Sequence, residues 1–555
     1  MMLTYSQWLD RRIVVRSAEY PIRDASSSFS LLTAVYERSD AEFLSEAAAS
    51  IFKQSYPSFE WILLAQGAIS SAVENVLAGI ESHPQCHVLR NERNLGIIWG
   101  LQHCLTTATS DYVVPFDADD LLTPDALQIL AYSISRHKRP ALVYSDEDRL
   151  VDGIPSMPYL RPDWDPVLAL SSSYIWHLCA IDRAAALESG VYTDPEANWC
   201  HDWDTVLRLA AAGRRIVHVP EVLYHWRQHP ASSTNRPEPE SASLMSQRHV
   251  LQRWVDTHQN PDLFNVERSA IDSGAAAYGI ARRPVSSPVL AMLGYGGNPA
   301  LLTDSICSAL QFASGTVSEI HLIGIPDVPV DIRARVARLT GSASTRIVVW
   351  PQAKPVDLLL ALSNSPVMAV AVISQNVTVK EDWIWEPDRL LRLHPELALV
   401  GARILDDSGL VLSAGQVFGF GGIAGSPDAG RLETEPGPYG IALKPRCVSA
   451  PHPWFFVARR TDMVEAFRTL PVQANWPALG TWLGGVFAET GRRIAFSPHL
   501  NAVRKTSEPI DALTPAAESR AFAHRFIRFI PDFRSYSKWY GWTRSETYHV
   551  RAAGV

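Results

Sequence analysis

An acidic run, Asp117-Ala118-Asp119-Asp120, directly follows the apolar segment DYVVPF (111–116). In open α/β sheets, ligands bind beyond the carboxyl ends of the strands. Carboxylates at such an edge supply hard oxygen ligands for a divalent cation, which keeps further sites free for phosphate oxygens. Taken alone the run is weak evidence, because an acidic turn that caps the next helix has the same composition.

Two further motifs in the first half of the chain carry groups suited to acid–base and phosphate chemistry. HDWD (201–204) stands at the start of a helical segment, where acids also compensate the helix dipole. YHWRQH (224–229) ends an apolar strand-like segment, and it offers His225 as a metal or phosphate ligand and Arg227 as a forked donor for a diphosphate. A single His or Arg at a strand end is more often structural, so the hypothesis rests on the combination.

The elements that would position these residues alternate between strand and helix. Apolar runs at 29–35, 60–65, 87–91, 111–116 and 141–146 predict strands, and amphipathic stretches between them predict helices. One helix is expected to start with a capping box at Ser39 and Glu42, and another at Thr123-Pro124. This order predicts an α/β, Rossmann-like domain with a mainly parallel sheet. The absence of a GxGxxG sequence after the first strand argues against a dinucleotide.

The pattern restarts in the second half, which predicts an internal repeat of a whole domain. AAGRRIVHVPEVLYHWR (211–227) resembles ETGRRIAFSPHLNAVRK (489–505), and a second pair of segments around 124–153 and 387–409 agrees with it. We therefore expect two tandem α/β domains with mainly parallel mixed sheets flanked by helices. The expected division is an irregular lead-in at 1–28, a first domain at 29–258, a linker at 259–287, a second domain at 288–510 and a tail at 511–555.

Composition narrows the class of protein. Among 555 residues, 47% are apolar and the net charge is −8, which suits buried cores and argues against a surface built for nucleic acid. The six cysteines form no CxxC pair, and neither they nor the first residues suggest a secreted protein, so we expect a cytoplasmic location. The basic and aromatic tail RFIRFIPDFRSYSKWYGW (525–542) favours packing on the protein over peripheral contact with the inner membrane face.

The combined motifs resemble family-2 glycosyltransferases of the GT-A fold. The most specific match is RNLGIIWGLQHCLTTATSDYVVPFDADDLLTPDAL (93–127), and 33–64 resembles the first strand, helix and second strand of that family. YSDEDR (144–149) and RPDWDPVLALSSSYIWH (161–177) resemble bacterial polysaccharide-building members, including rhamnosyltransferase-like ones. The resemblance implies a nucleotide-diphospho-sugar donor, Mn²⁺ or Mg²⁺, a hydroxyl acceptor on a glycan or lipid-linked saccharide, and inversion at the anomeric carbon.

The resemblance also implies roles for single residues. Asp202 would be the general base, with Asp204, His225 and Arg227 in support, and Asp119 and His225 would bind the metal. Donor-binding positions implied in the same way are Thr33, Val35, Glu37, Gln66, Asn94, Asp117, Asp119 and Asp120.

Two positions depart from the family pattern. Ala65-Gln66 stands where an acidic pair usually binds the nucleobase, and Gln66 offers an amide donor and acceptor instead. His201 stands where Glu is common beside the base. The identity of the nucleotide is therefore left open.

The second half lacks the charged groups of the first. Counting back from the shared glycine, Asp202 and Asp204 correspond to Gly480 and Trp482, while His225 and Arg227 correspond to Val503 and Lys505. SQNV (374–377) replaces the acidic run, so we expect the second domain to be non-catalytic. Asp406-Asp407 and His452 remain, and they are interpreted as a turn before Gly409 and a loop histidine.

Two alternatives to an inverting glycosyltransferase stay open. A nucleotidyltransferase also places paired acids after a strand, but TAVYERSD (33–40) has no glycine for a phosphate loop. A non-catalytic scaffold that binds glycans or nucleotide sugars would agree with Ala65-Gln66. The retained acids of the first half argue against it.

Overall fold

The protein consists of two α/β domains, as the sequence predicts. Contacts between them join the two domains. A computed structural model describes residues 4–22, 26–229, 242–269, 277–283, 288–314, 316–341, 345–505 and 516–550. Within these ranges, no helix combines the length and the apolar character that crossing a bilayer requires.

The lead-in begins with a regular helix, α1 (Tyr5–Glu19), so the expectation of an irregular segment there is wrong. A capping box between Thr4 and Gln7 starts this helix. Its buried face holds two arginines beside two apolar residues, and the hydrophobic periodicity that predicts a helix is therefore weak. The buried residues are Trp8, Leu9, Arg12 and Arg16.

Both buried arginines of α1 bind carboxylates of the first domain. Arg16 is fully buried and places Nε and Nη2 each 2.7 Å from the Asp125 carboxylate. It also donates to the carbonyl of Val222. Arg12 binds Glu221 through Nε at 3.0 Å and Nη2 at 2.6 Å. Salt bridges, rather than apolar burial alone, therefore fix α1 to the first domain.

The first domain is a nine-stranded sheet flanked by helices. Its strands are β1 (Phe29–Val35), β2 (Phe59–Gln66), β3 (Cys86–Asn91), β4 (Tyr112–Pro115), β5 (Leu121–Leu122), β6 (Leu142–Val151), β7 (Ile154–Tyr159), β8 (Cys179–Asp182) and β9 (Ile216–Gln228). Its helices are α2 (Ala41–Phe52), α3 (Ser71–Glu81), α4 (Ile97–Thr107), α5 (Ala126–Arg136), α6 (Pro166–Ser171), α7 (Arg183–Glu188) and α8 (His201–Ala211).

The strand order is β3-β2-β1-β4-β8-β6-β9-β5, with β7 paired to β6. β1 lies between β2 and β4 in parallel, and β6 is parallel to β9. β8 is antiparallel to both of its neighbours, which makes the sheet mixed. The carboxyl ends of β1, β2 and β4 meet at one edge, and the acidic run follows β4 there.

Two predicted helix starts are shifted. Asp40, and not Ser39, caps α2, because its side chain accepts the backbone N–H groups of Glu42 and Phe43. α5 begins at Ala126, since the Thr123 hydroxyl is used to donate to Asp125 beside Arg16. Both differences come from side-chain hydrogen bonds that compete for the same capping position.

The segment between the domains is partly structured. Helix α9 (Ala242–His258) packs on the first domain, and β10 (Phe264–Arg268) pairs antiparallel with β11 (Tyr278–Arg282). The predicted linker at 259–287 therefore contains a small sheet, although 270–276 and 284–287 lie outside the described residues.

The second domain has ten strands in one sheet and a separate two-stranded pair. Its strands are β12 (Val289–Tyr295), β13 (Thr316–Ile323), β14 (Arg346–Trp350), β15 (Ala369–Ser374), β16 (Val377–Thr378), β17 (Leu397–Leu405), β18 (Val411–Ala414), β19 (Val417–Phe418), β20 (Ala424–Gly425), β21 (Arg446–Val448), β22 (Phe455–Arg459) and β23 (Arg493–Arg504). Its helices are α10 (Pro299–Gln311), α11 (Ile332–Thr340), α12 (Leu359–Ser363), α13 (Trp385–Leu393), α14 (Arg460–Thr469) and α15 (Leu479–Thr490), and α16 (Ala516–Phe526) follows in the tail.

The strand order of the second sheet repeats that of the first. It runs β14-β13-β12-β15-β22-β17-β23-β16, so each of these eight strands has a counterpart at the same place in the first sheet. The predicted internal repeat is therefore confirmed at the level of topology.

Direct hydrogen bonds join the domains. The backbone N–H of Cys447 donates to the Asp165 carboxylate at 2.6 Å, and Arg493 donates to the carbonyl of Trp164 at 3.1 Å. The buried Lys444 ammonium lies 2.6 Å from the Ser172 hydroxyl. Asp165, Ser172 and Lys444 are buried, so the interface fixes the relative position of the domains.

The tail packs on the protein, as its aromatic composition favours. Phe522 and Phe526 of α16 lie against Trp482 of the second domain. Farther along, the Trp539 ring contacts Trp8 at 5.6 Å, and Arg12 lies 4.6 Å above it. The tail therefore reaches back to α1 beside the first domain.

We expect Arg16→Ala to lower the free energy of unfolding by about 3–5 kcal/mol, because it leaves the Asp125 carboxylate and the Val222 carbonyl without their partner. The exposed neighbour Arg11 provides the control, and Arg11→Ala should change stability by less than about 0.5 kcal/mol. Urea denaturation followed by circular dichroism measures both. Equal stability of the two variants would contradict the role of Arg16.

Candidate active site

Asp120 anchors the acidic loop to strand β9. Its carboxylate is buried and accepts the Tyr224 hydroxyl at 2.6 Å and the backbone N–H of Arg227 at 2.7 Å. Burial, together with the charges of Asp119 and Asp117, raises the pKa of Asp120 well above its ordinary value. Since both oxygens are engaged, Asp120 positions the loop, whereas the sequence predicted a contact with the donor.

Asp119 lies beside His229 at the open edge of the sheet. The His229 Nε2 is 3.0 Å from the Asp119 carboxylate, whose side chain is 40% exposed. Burial and the charge of Asp117 raise the pKa of Asp119, and His229 opposes this shift. His229 is the last residue of the motif YHWRQH, in which His225 was the expected metal ligand.

His225 lies away from Asp119 and is bound elsewhere. Its Nδ1 is 2.6 Å from the buried Asp148 carboxylate, which also accepts the Tyr5 hydroxyl at 2.7 Å. Because alternate residues of a strand face opposite sides, β6 presents Asp148 to His225 and Glu147 to the other side. This pairing engages Nδ1 of His225, and the metal role expected of His225 stays a prediction.

Asp117 forms an ion pair with a histidine that sequence analysis did not single out. The His177 Nε2 is 3.6 Å from Asp117, and its Nδ1 is 3.2 Å from the buried Glu147. Burial opposes protonation of His177, but the two carboxylates outweigh it and raise its pKa well above the ordinary value. His177 is therefore a cation beside Asp117. His177 is the last residue of RPDWDPVLALSSSYIWH (161–177). The resemblance of this segment to bacterial polysaccharide-building members is the signal by which His177 could have been found.

Two groups of side chains in this region have the donor atoms for a divalent cation. The ligand atoms of Asp117, Asp120 and His177 lie within 4.8 Å of one another. In that group, however, the Asp120 oxygens are already hydrogen-bonded and His177 is protonated. Asp119 and His229 bring a carboxylate oxygen and an imidazole nitrogen to within 3.0 Å of each other, and a carboxylate with an imidazole is a second donor set suited to a cation.

Asp202 lies in the first turn of α8. Its carboxylate is 36% exposed and 3.1 Å from the His201 Nε2. Burial opposes ionisation of Asp117, but the hydrogen bond and charge of His177, with a smaller effect of His201, lower its pKa. Because the charge of His201 reaches Asp117, the start of α8 lies near the acidic loop.

Asp204 supports the fold near Asp202. It is buried and binds Arg208 at 2.8 Å, and it also pairs with Arg253 of α9. Residues two apart on a helix face different sides, so Asp204 is directed away from the cleft that Asp202 borders. Its predicted supporting role is therefore played through the packing of α8 on α9.

Arg227 also acts on the loop. Its guanidinium is buried above the Phe43 ring, pairs with Glu46 at 2.5 Å and donates from Nε to the carbonyl of Asp119 at 2.6 Å. With these partners it holds Asp119 in place. These bonds engage Nε and Nη2 of the guanidinium, and the expected contact of Arg227 with a diphosphate stays a prediction.

The predicted donor-binding residues fall into two groups. Glu37 accepts from the Asn94 side chain at 3.1 Å, and the Gln66 amide accepts the backbone N–H of Leu95 at 3.2 Å, so these side chains meet at the ends of β1, β2 and β3. Thr33 and Val35 are fully buried, and Thr33 donates to the carbonyl of Phe116. Their side chains therefore belong to the core, which corrects a direct side-chain role for them.

The second domain has no room for an acidic side chain at the position that corresponds to Asp202. Gly480 corresponds to Asp202, and a Cβ added there would lie 2.4 Å from the carbonyl oxygen of Pro451. Any side chain at this position would clash with the backbone. Trp482 is buried, and burial lowers the pKa of His452 to about 3, so this histidine is neutral.

The first half is an α/β domain with an acidic loop after β4 and a second acid on α8. These features indicate the class of protein that it resembles. Residues 30–158 match the family described as glycosyl transferase family 2. This match confirms the resemblance to family-2 glycosyltransferases that the sequence shows.

Two bacterial relatives extend over both domains. The uncharacterized protein y4gI of Sinorhizobium fredii is 27% identical over 398 residues, which are 70% of this chain and 43% of the relative. The O-antigen biosynthesis protein RfbC of Myxococcus xanthus is 26% identical over 407 residues, 72% of this chain and 31% of the relative. The chain thus spans less than half the length of these relatives.

One of the similar solved structures is the mannosyltransferase PcManGT from Pyrobaculum calidifontis in complex with GDP-Man and Mn²⁺. It is 19% identical, and the match covers 45% of this chain and 74% of that chain with a TM-score of 0.31.

The two acids of α8 should respond differently to substitution. We expect Asp204→Ala to lower the free energy of unfolding by about 2–3 kcal/mol, because two arginines lose a buried partner. Asp202→Asn removes a partly exposed charge and should change stability by less than about 0.5 kcal/mol. Thermal unfolding of both variants tests this, and a large loss in Asp202→Asn would contradict the assignment of Asp202 to the cleft.

Proposed function

We propose that the first domain transfers a sugar from a nucleotide-diphospho-sugar to an acceptor hydroxyl with inversion at the anomeric carbon. The observation that carries this proposal is that the ionised Asp117 of the acidic loop lies within reach of the charge of His201, which pairs with Asp202 at the start of α8. The name of the Myxococcus relative supports a surface polysaccharide as the product, with a glycan or lipid-linked saccharide as the acceptor. We expect the reaction in the cytoplasm, where nucleotide sugars are available.

Asp202 is the proposed general base. The first turn of a helix favours a carboxylate, and its partial exposure leaves it open to an acceptor. In the reaction, the acceptor oxygen bonds to the anomeric carbon while the bond from that carbon to the diphosphate oxygen breaks. The hydroxyl proton passes to Asp202, and the nucleoside diphosphate leaves with the electron pair.

Asp119 and His229 are the proposed metal ligands. A carboxylate paired with an imidazole suits Mn²⁺ better than Mg²⁺, which is usually bound through oxygen and keeps several waters. When bound, the ion would neutralise negative charge on the diphosphate. Arg227 and Asp120 keep the loop in position for this, through the Asp119 carbonyl and through β9.

His177 adds positive charge to the same region. It is held between Asp117 and Glu147, and its charge faces the cleft where the diphosphate of a donor would lie. A fixed cation stabilises an oxyanion without the cost of reorganising solvent. We therefore assign it to orienting Asp117 and to offsetting the charge of the donor.

The nucleobase is expected near Glu37, Gln66 and Asn94. Gln66 already uses its carbonyl oxygen to hold Leu95, so its role is to shape this subsite. This arrangement supports donor binding by the loop before α4. It gives no preference among nucleotides.

A scaffold that binds nucleotide sugars without turnover is the second candidate, and the commitment of Gln66 to the backbone favours it. A nucleotidyltransferase would release pyrophosphate instead of a nucleoside diphosphate. A panel of nucleotide sugars, incubated with Mn²⁺ and candidate saccharides and analysed for both products, separates the three. Binding without release of either product would support the scaffold.

Asp202→Asn should lower kcat by about 10²–10⁴-fold, because the amide cannot accept the hydroxyl proton. The assay is release of nucleoside diphosphate at saturating donor. Asp256→Asn, an exposed site on α9, is the matched control and should retain full activity. Wild-type turnover by Asp202→Asn would remove the proposed mechanism.

Chelation of divalent metal should abolish transfer, and Mn²⁺ should restore more activity than Mg²⁺, because His229 supplies a nitrogen ligand. In His229→Ala this preference should weaken, and in Asp119→Ala activity should not return with either ion. Activity that persists in chelator, or an unchanged metal preference in His229→Ala, would contradict the proposed ligand pair.

A further inference from the structure

A series of partly exposed aromatic rings continues from the cleft. The Trp226 ring lies 5.9 Å from His177, which pairs with Asp117, and Trp176 lies 6.2 Å from Trp226. The indole N–H of Trp176 is satisfied by the Ser173 hydroxyl at 3.0 Å, so its remaining surface is apolar. The rings therefore extend an apolar wall outward from the acidic loop.

The second domain supplies the far end of this wall. The Tyr439 ring stacks on Tyr159 at 3.9 Å with an interplanar angle of 20°, and it is 6.1 Å from Trp176. Its hydroxyl donates to the carbonyl of Met157 at 2.9 Å. A residue of the non-catalytic domain is thus inserted among side chains of the first domain.

The backbone at Tyr439 is held in an uncommon conformation. Tyr439 has φ 50° and ψ 30°, between Gly437 at φ 64° and Gly440 at φ 76°. A bulky residue in the left-handed region is strained and persists only where its surroundings fix it. The turn at Pro438–Leu443 therefore presents this ring at a specific place.

Arg149 adds polar donors to the wall. Its guanidinium lies 5.4 Å from the centre of the Trp226 ring and 5.4 Å from that of Tyr439. Within the described part of the chain, no carboxylate forms a salt bridge with it, whereas the buried Arg161 pairs with Glu147. Arg149 thus keeps N–H groups that no acid neutralises.

The position of the wall separates it from the expected donor subsite. Glu37, Gln66 and Asn94 follow β1, β2 and β3 on one side of β4, while the rings belong to β7, β9 and the segment before β8 on the other side. Asp117 follows β4 and lies between the two groups. A molecule on the wall would therefore approach the reacting centre from the side opposite the nucleotide.

We propose that Trp176, Trp226 and Tyr439 bind a pyranose ring of the acceptor saccharide, so that the second domain completes the acceptor subsite. The proposal rests on the proposed function of the first domain. A pyranose has an apolar C–H face and a rim of hydroxyls, and flat aromatic rings pack against the former. Arg149 donates to the hydroxyl rim, in keeping with sites that combine apolar walls and a few directed polar groups.

Binding of simple sugars by the full chain tests this. The probes are the methyl glycosides of glucose, galactose, mannose and rhamnose, measured by saturation-transfer NMR in the presence of the diamagnetic ion Mg²⁺ and UDP, GDP or dTDP. We expect at least one glycoside to bind the wild type and Tyr439→Ala to weaken it at least fivefold. Tyr439→Phe, which keeps the ring, should bind within twofold of the wild type.

Phe533→Ala is the matched control, because Phe533 is an exposed ring of the tail outside the wall, and it should bind like the wild type. Nucleotide affinity, measured in the same samples, should be unchanged in all variants. Nucleotide binding with no glycoside binding, or with equal glycoside affinity in Tyr439→Ala and wild type, would overturn the acceptor subsite. Failure of every nucleotide to bind would instead contradict the proposed function. Circular dichroism confirms that each variant is folded.

Discussion

The active-site cleft depends on one buried carboxylate, that of Asp120. By accepting the Tyr224 hydroxyl and the Arg227 backbone N–H, it ties the loop after β4 to the end of β9, two segments more than 100 residues apart. That tie brings Asp119 next to His229 and holds Tyr224 beneath His177 in a parallel stack. A buried acid is costly unless its oxygens are satisfied, so the loop has few other arrangements available. The exposed acids around it can therefore remain open to ligands.

The two domains share a topology, but only the first carries the acidic side chains of the candidate site. In the first, a helix start carries Asp202 at the mouth of the cleft. In the second, the same helix start carries Gly480 in close contact with the Pro451 backbone. The glycine allows tighter packing and removes the space that a base would need. In the second domain, the acid is thus replaced by a glycine that packs closely against the Pro451 backbone. This domain instead supplies groups at the interface, such as Lys444 and Tyr439.

Much of the fold could be predicted because the central strands are buried on both faces and appear as continuous apolar runs, as in Phe29–Val35. Helix α1 could not, since Arg12 and Arg16 bury their charges against partners distant in sequence. Among site residues, Asp119 and Asp202 were evident from their positions after a strand and at a helix start. The sequence could not show whether His225 or His229 lies beside Asp119, because the alternation of residues along a strand does not tell how far a neighbouring loop extends. The partners of Arg227 and Asp204, which are Glu46 and Arg253, could not be predicted either, because they are distant in sequence and meet only in three dimensions.

The contact of Trp539 with Trp8 and Arg12 joins the tail to α1, although both domains lie between them in sequence. Together with the interdomain hydrogen bonds at Cys447 and Arg493, it connects the two halves at several separate places. Proteolytic cleavage in the segment between the domains would consequently yield two fragments that stay associated, so that the halves behave as a split protein and not as independent modules.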